Sequence, residues 1–145
     1  MKPVLQDKFG KPDGNCFAAC IASILEIRLH DVPAKFYGTG DWGNDSDKFF
    51  AELNEWLSQF GLSLMTINCE DPEKHLPEAW LIIGGMGPRG IEHCIVGWKN
   101  EERHDPHPDG GGLTAVDCWY IFIPRDAAEV RRRYKKMVDR KKKRR

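Results

Sequence analysis

No stretch of this chain approaches the roughly 20 consecutive apolar residues that a membrane-spanning helix requires. Residues 1–10 also lack the apolar core of a secretory signal, so the expectation is a cytoplasmic protein with no membrane contact. Paired cysteine spacing is missing too. The five cysteines, Cys16, Cys20, Cys69, Cys94 and Cys118, are odd in number, fit no common disulfide framework and contain no C-x-x-C pair. Without a signal segment they are expected to stay reduced, which leaves each thiol free for chemistry. No internal repeat is visible.

Net charge is absent as well, at 22 basic against 22 acidic residues, but the balance conceals a division. Residues 125–145 hold twelve Lys or Arg and three Asp or Glu, a net of +9. The preceding 124 residues hold ten and nineteen, a net of −9. An acidic body followed by a basic tail predicts a domain over residues 1–124 and a helix or frayed extension over 125–145. At 145 residues and 41% hydrophobic content, the body is large enough for one modest core.

What the body does contain is a change of period. Residues 16–27, CFAACIASILEI, combine alanines with apolar residues on nearly every side and predict a buried helix. Residues 46–60 predict an amphipathic helix with Phe49, Phe50, Leu53, Trp56, Leu57 and Phe60 on one stripe, Asp45 as its N-cap and Gly61 just past its end. From residue 62 the pattern turns to strands, expected at 62–68, 80–83, 91–98 and 118–123. Helices first and strands after indicate an α+β fold rather than a parallel βαβ sheet.

Cys16 sits where the Gly14-Asn15 turn meets the first helix. A free thiol with a pKa of about 8.5 is mostly protonated at neutral pH, and only the thiolate attacks a carbonyl well. A helix N-terminus and a neighbouring imidazolium both favour the anion. The position also aims the Cys16 N–H where it can stabilise an oxyanion. Cys20, Cys69, Cys94 and Cys118 read as core.

Of five histidines, His93 heads the strand HCIVGW as it leaves the turn GPRG, where a side chain can face a cleft from a fixed backbone. Asp105 follows twelve residues later, and a hairpin returning beside the His93 strand would bring its carboxylate to the ring. Asp109 and Asp117 are alternatives for that carboxylate. Such an Asp sets the tautomer and leaves the other ring nitrogen for the thiol. A competing arrangement is a zinc site from His104, Asp105 and His107, or from Cys94 beside His93, although Pro106 and Pro108 hold the first group extended. No cofactor is expected.

The ordered set GNCFAACIASIL, HCIVGW and HDPHPDGGGL resembles the papain-like cysteine peptidase superfamily over roughly residues 3–123, nearest its small bacterial and phage members and the bacteriocin-leader peptidases. The resemblance implies a papain-like fold with a Cys-bearing helix packed on an antiparallel sheet. It implies Cys16 as nucleophile, His93 as general base and Asp105 as orienter, acting on a peptide or protein substrate. It further implies a Gln upstream of the Cys that completes the oxyanion hole. Gln6 is the one Gln before Cys16, ten residues away, which is farther than is usual in papain. Asn15 is a second amide, placed to shape the turn.

A different class of function follows from the tail. RRRYKKMVDRKKKRR, residues 131–145, could neutralise several phosphates. In that reading a catalytically inactive domain is a scaffold, and the tail contacts nucleic acid or another acidic partner. Trp42, Phe36 and Tyr37, in and beside a Gly-rich loop, are candidates to line a cleft.

Overall fold

The computed structural model describes residues 1–38, 46–126 and 132. The expected cap at Asp45, the aromatic Trp42 and, apart from Arg132, the basic segment 131–145 lie outside the described residues.

Helix α1 spans Cys16–Leu25, and its first eight residues are buried. It ends before the expected residue 27 because Glu26 turns into the left-handed region at φ 57°. Ile27 N–H then closes on the Ala22 carbonyl at 3.0 Å. Helix α2 spans Ser46–Leu57 and passes into a short 3-10 turn over Ser58–Phe60. That turn stops at Gly61, which takes φ 71°, a backbone state that glycine adopts without steric cost. The α2 stripe buries Leu53 and Leu57, and Phe49, Phe50 and Trp56 pack against the same core. Burying each large apolar side chain contributes roughly 1.5–3 kcal/mol.

Five strands follow: β1 Leu62–Ile67, β2 Trp80–Met86, β3 Glu92–Trp98, β4 Glu101–His104 and β5 Ala115–Pro124. A one-turn helix, α3 Pro72–His75, lies between β1 and β2. The strands form one sheet in the order β1-β5-β2-β3-β4, with every neighbouring pair antiparallel. Each sheet face has its own core. One face packs Leu64, Ile82, Cys94, Val96 and Tyr120 against the two long helices. The other gathers Leu81, Ile83, Ile95, Trp119 and Ile121 under Leu76. This is the α+β architecture expected from the sequence, an N-terminal helix bearing Cys16 on a C-terminal antiparallel sheet.

Two strand limits differ from expectation by three residues, at the end of β2 and the start of β5, and three others by one. β2 continues through Gly84 and Gly85 instead of ending at Ile83, because those glycines let β5 approach closely where the β2–β5 register shifts. A Cβ on Gly85 would collide with the Ala115 carbonyl oxygen and come within 2.9 Å of its carbon. β5 begins at Ala115, three residues before the expected start; Ala115, Val116 and Asp117 are exposed, so the strand runs on past the core that its apolar run Cys118–Ile123 marks. Among the described residues no helix is long and apolar enough to cross a membrane.

Candidate active site

Asn15 explains how the chain reaches Cys16. Its side chain is fully buried, and its Oδ1 accepts from the backbone N–H groups of Asp7 (3.2 Å) and Lys8 (3.1 Å). Its Nδ2 donates to Asp7 Oδ1 at 2.8 Å, and its own N–H donates to the Lys8 carbonyl at 3.2 Å. One amide therefore fastens the lead-in segment to the start of α1. The Asn15 carbonyl also accepts the Ala19 N–H at 2.9 Å, the first bond of the helix. The N–H groups ahead of it, Cys16 included, have no intrahelical acceptor and carry the positive end of the helix dipole.

The same segment delivers Gln6. Its backbone N–H donates to the Pro106 carbonyl at 2.9 Å, and the His104 Nε2–H donates to the Val4 carbonyl at 2.8 Å. Gln6 is buried, and its Nε2 gives one hydrogen to the Lys8 carbonyl at 2.8 Å. The amide's second N–H is not needed for that bond. Asn15→Ala removes the acceptor of two backbone amides, and leaving such groups unmet predicts a loss of about 2–4 kcal/mol in urea unfolding. A loss under about 1 kcal/mol would mean that other contacts hold the segment.

β3 and β4 set the ring and the carboxylate. His93 is the second residue of β3, and its Nε2–H donates to Asp105 Oδ1 at 2.7 Å. Asp105 follows β4 directly, and both side chains are only 6% exposed, so water competes little for this bond. Asp105 Oδ1 also accepts the His107 N–H, and its Oδ2 accepts the Gly112 N–H, each at 2.8 Å. Burial alone would raise the Asp105 pKa; the His93 bond and the two backbone donors hold it below its ordinary value. Asp109 and Asp117 are exposed and take no part in this bond.

With Nε2 engaged by Asp105, the nitrogen of the His93 ring that remains is Nδ1, and His93 and Cys16 line the same pocket. Cys16 is 1% exposed. Its pKa is lowered to about 5, first by a hydrogen bond from the Cys94 thiol and then by the His93 hydrogen bond and charge, against the opposing effect of burial. Burial pushes the His93 pKa down, but bonds to Cys16 and Asp105 outweigh it and leave the ring more basic than usual. Cys20, one turn along, is driven well above its ordinary value by burial and by the Cys16 charge, so it remains a neutral core thiol.

Cys16, His93 and Gln6 line one open pocket. Its walls add Phe9, Arg89, Glu92 and His107, with Gly10, Gly14 and Gly87 contributing backbone surface. Arg89 donates to the Gly110 carbonyl at 3.0 Å, which ties the GPRG turn to the Gly-rich loop after Asp105. The Phe9 and His107 rings meet edge-on at 5.0 Å. The sequence contained a signal for Arg89 in the GPRG turn ahead of His93, but none for Phe9, which lies far from the motifs. Phe36 is buried in the helix-side core rather than in a cleft, and Tyr37 packs against that core.

Among the described residues no group of three or more His, Cys, Asp or Glu is arranged to hold a metal ion. In the cluster considered for zinc, His104 donates to a backbone carbonyl and Asp105 is occupied by His93. No family model, curated protein or solved structure matches the chain.

Proposed function

We propose that the chain is a cysteine-dependent hydrolase of papain-like type that cleaves an amide or isopeptide bond of a peptide or protein by acyl transfer. The observation that supports the reading is the His93–Asp105 hydrogen bond beside a pocket that His93 shares with Cys16, the first residue of α1. A thiol held near pKa 5 beside a ring of raised basicity favours the thiolate–imidazolium pair at neutral pH.

The thiolate attacks the carbonyl carbon. The Cys16 N–H and the second Gln6 N–H then hold the oxyanion, each donor worth about 3–4 kcal/mol in the transition state. The imidazolium gives its Nδ1 proton to the leaving nitrogen, and the C–N bond breaks. A water, deprotonated by the same nitrogen, attacks the thioester and restores the thiol. Asp105 keeps the proton on Nε2, so that Nδ1 stays the exchanging nitrogen throughout.

An activated acyl ester tests this directly. The protein is mixed with the p-nitrophenyl ester of an N-acylated amino acid, and nitrophenolate release is followed. The expected result is a burst equal to the enzyme concentration, with the acyl mass on the peptide containing Cys16. Acyl groups spread over several thiols, or none bound at all, would overturn the proposal. The scaffold alternative, with 131–145 contacting nucleic acid or an acidic partner, draws support from composition alone.

A further inference from the structure

The acyl-transfer chemistry above uses Cys16, His93 and Gln6 and leaves another wall of the same pocket unassigned. That wall carries Arg89 and His107. Gly110 ties the two together. Its N–H donates to the His107 carbonyl at 2.9 Å, and its own carbonyl accepts from Arg89 Nη1 at 3.0 Å. Gly111 packs against the turn that bears Arg89, where a Cβ would come within 2.9 Å of the Pro88 ring. The GPRG turn and the loop after Asp105 therefore present a guanidinium and an imidazole side by side.

Both groups keep donors in hand. A guanidinium offers five N–H donors, and Arg89 pairs with no carboxylate among the described residues. Glu92 also lines the pocket, but its carboxylate has Lys11 Nζ within 3.9 Å. In the His107 ring, Nδ1 accepts the Asp109 N–H at 3.1 Å, which places the ring proton on Nε2. That Nε2–H has no hydrogen-bond acceptor among the described residues, although the side chain is only 12% exposed. The His107 ring also stands 6.3 Å from the His93 ring, centre to centre, at 78°. His93 is the group that protonates the leaving nitrogen, so the unused donors lie on the side where the leaving group sits.

We infer that Arg89 and His107 form a carboxylate subsite for the leaving residue. The enzyme then releases an amino acid whose carboxylate is unblocked, either the C-terminus of the peptide or an acidic side chain next to the scissile bond. The inference rests on the acyl-transfer reading and adds the class of substrate to it. In an amino acid a single carbon separates the nitrogen from the carboxylate. A nitrogen at His93 thus puts its carboxylate near the neighbouring ring. The planar fork of Arg89 matches the two carboxylate oxygens, and hydrogen bonds between such charged partners are about twice as strong as neutral ones.

The test uses the acyl-enzyme formed from the p-nitrophenyl ester, which an added amine can intercept in place of water. The amine nitrogen attacks the thioester carbonyl and gives its proton to His93, and the C–S bond breaks to return the thiolate. This is the cleavage step reversed, so an amine that fits the leaving-group subsite is favoured. Alanine, alaninamide and the α-amide of aspartic acid are compared per unprotonated amine. At least one of the two carboxylate-bearing acceptors is expected to react about tenfold faster than alaninamide, or more, the worth of a hydrogen bond to a charged partner. A preference for alanine assigns the terminal carboxylate, and a preference for the aspartic α-amide assigns the side chain. Arg89→Ala and His107→Phe should each bring that ratio towards one; the second keeps an aromatic ring beside Phe9 but removes the donor. The ratio is internal to each protein, so partial loss of folding or acylation cancels. A wild type that favours neither carboxylate over alaninamide, or a preference that survives either substitution, overturns the proposal. Absence of the ester burst in the wild type would instead defeat the acyl-transfer reading itself.

Discussion

Replacing His93 with alanine should raise the pH midpoint of iodoacetamide labelling at Cys16 from about 5 by roughly 2–3 units. The direction follows from charge. In the native protein the imidazolium favours the thiolate, so ionisation begins at low pH. Without the ring, burial remains and opposes the anion. At pH 6.5 nearly all wild-type Cys16 would be ionised, against about 3–25% in a variant whose midpoint has risen by 2–3 units. The rate of alkylation would fall by less than this ratio, since a more basic sulfur is intrinsically more nucleophilic. The midpoint is therefore the quantity to read. Amide turnover should suffer more, on the order of 10³–10⁴-fold, because the leaving nitrogen loses its proton donor. A midpoint that stays near 5 would show that the ring does not govern the sulfur.

Gly85→Ala should damage both the fold and the site. A methyl at this position meets the backbone of Ala115 rather than a movable side chain. The strain is relieved only if β5 moves away from β2, which breaks ladder bonds at the register shift. Overpacking of this kind costs about 3 kcal/mol or more when backbone must move. Gly85 is also directly opposite His93, so a distorted β2 displaces the strand that carries the ring. Urea unfolding and Cys16 labelling should change together. Gly97→Ala is a control in the same sheet: its methyl would meet the Ile83 side chain at 2.7 Å, and a side chain can rotate away. Equal stability of the Gly85 and Gly97 variants would refute the argument.

The helices were legible because alanine content and the aromatic stripe are strong periodic signals. Cys16, His93 and Asp105 could be named together because each lies at an element boundary, where chemistry and chain punctuation coincide. β4 was implicit only as a hairpin return, since its first three residues, Glu101, Glu102 and Arg103, are exposed and charged. Gly84 and Gly85 read as a stop, although inside a strand they answer a need for close approach that depends on a partner 30 residues away. Asn15 read as a turn residue. Its grip on Asp7 and Lys8 depends on a loop closure that spacing does not reveal. Cys94 read as core, and it is buried there.

The two groups that lower the Cys16 pKa, Cys94 and His93, occupy adjacent positions of a single strand, whereas the sulfur belongs to a helix. A displacement of that strand along the helix therefore disconnects ring and thiol at once, and the acidity of the sulfur falls as a unit rather than in stages. Iodoacetamide labelling under mildly acidic conditions thus reports how much of the population has helix and sheet docked, and the chain carries its own chemical gauge of native assembly.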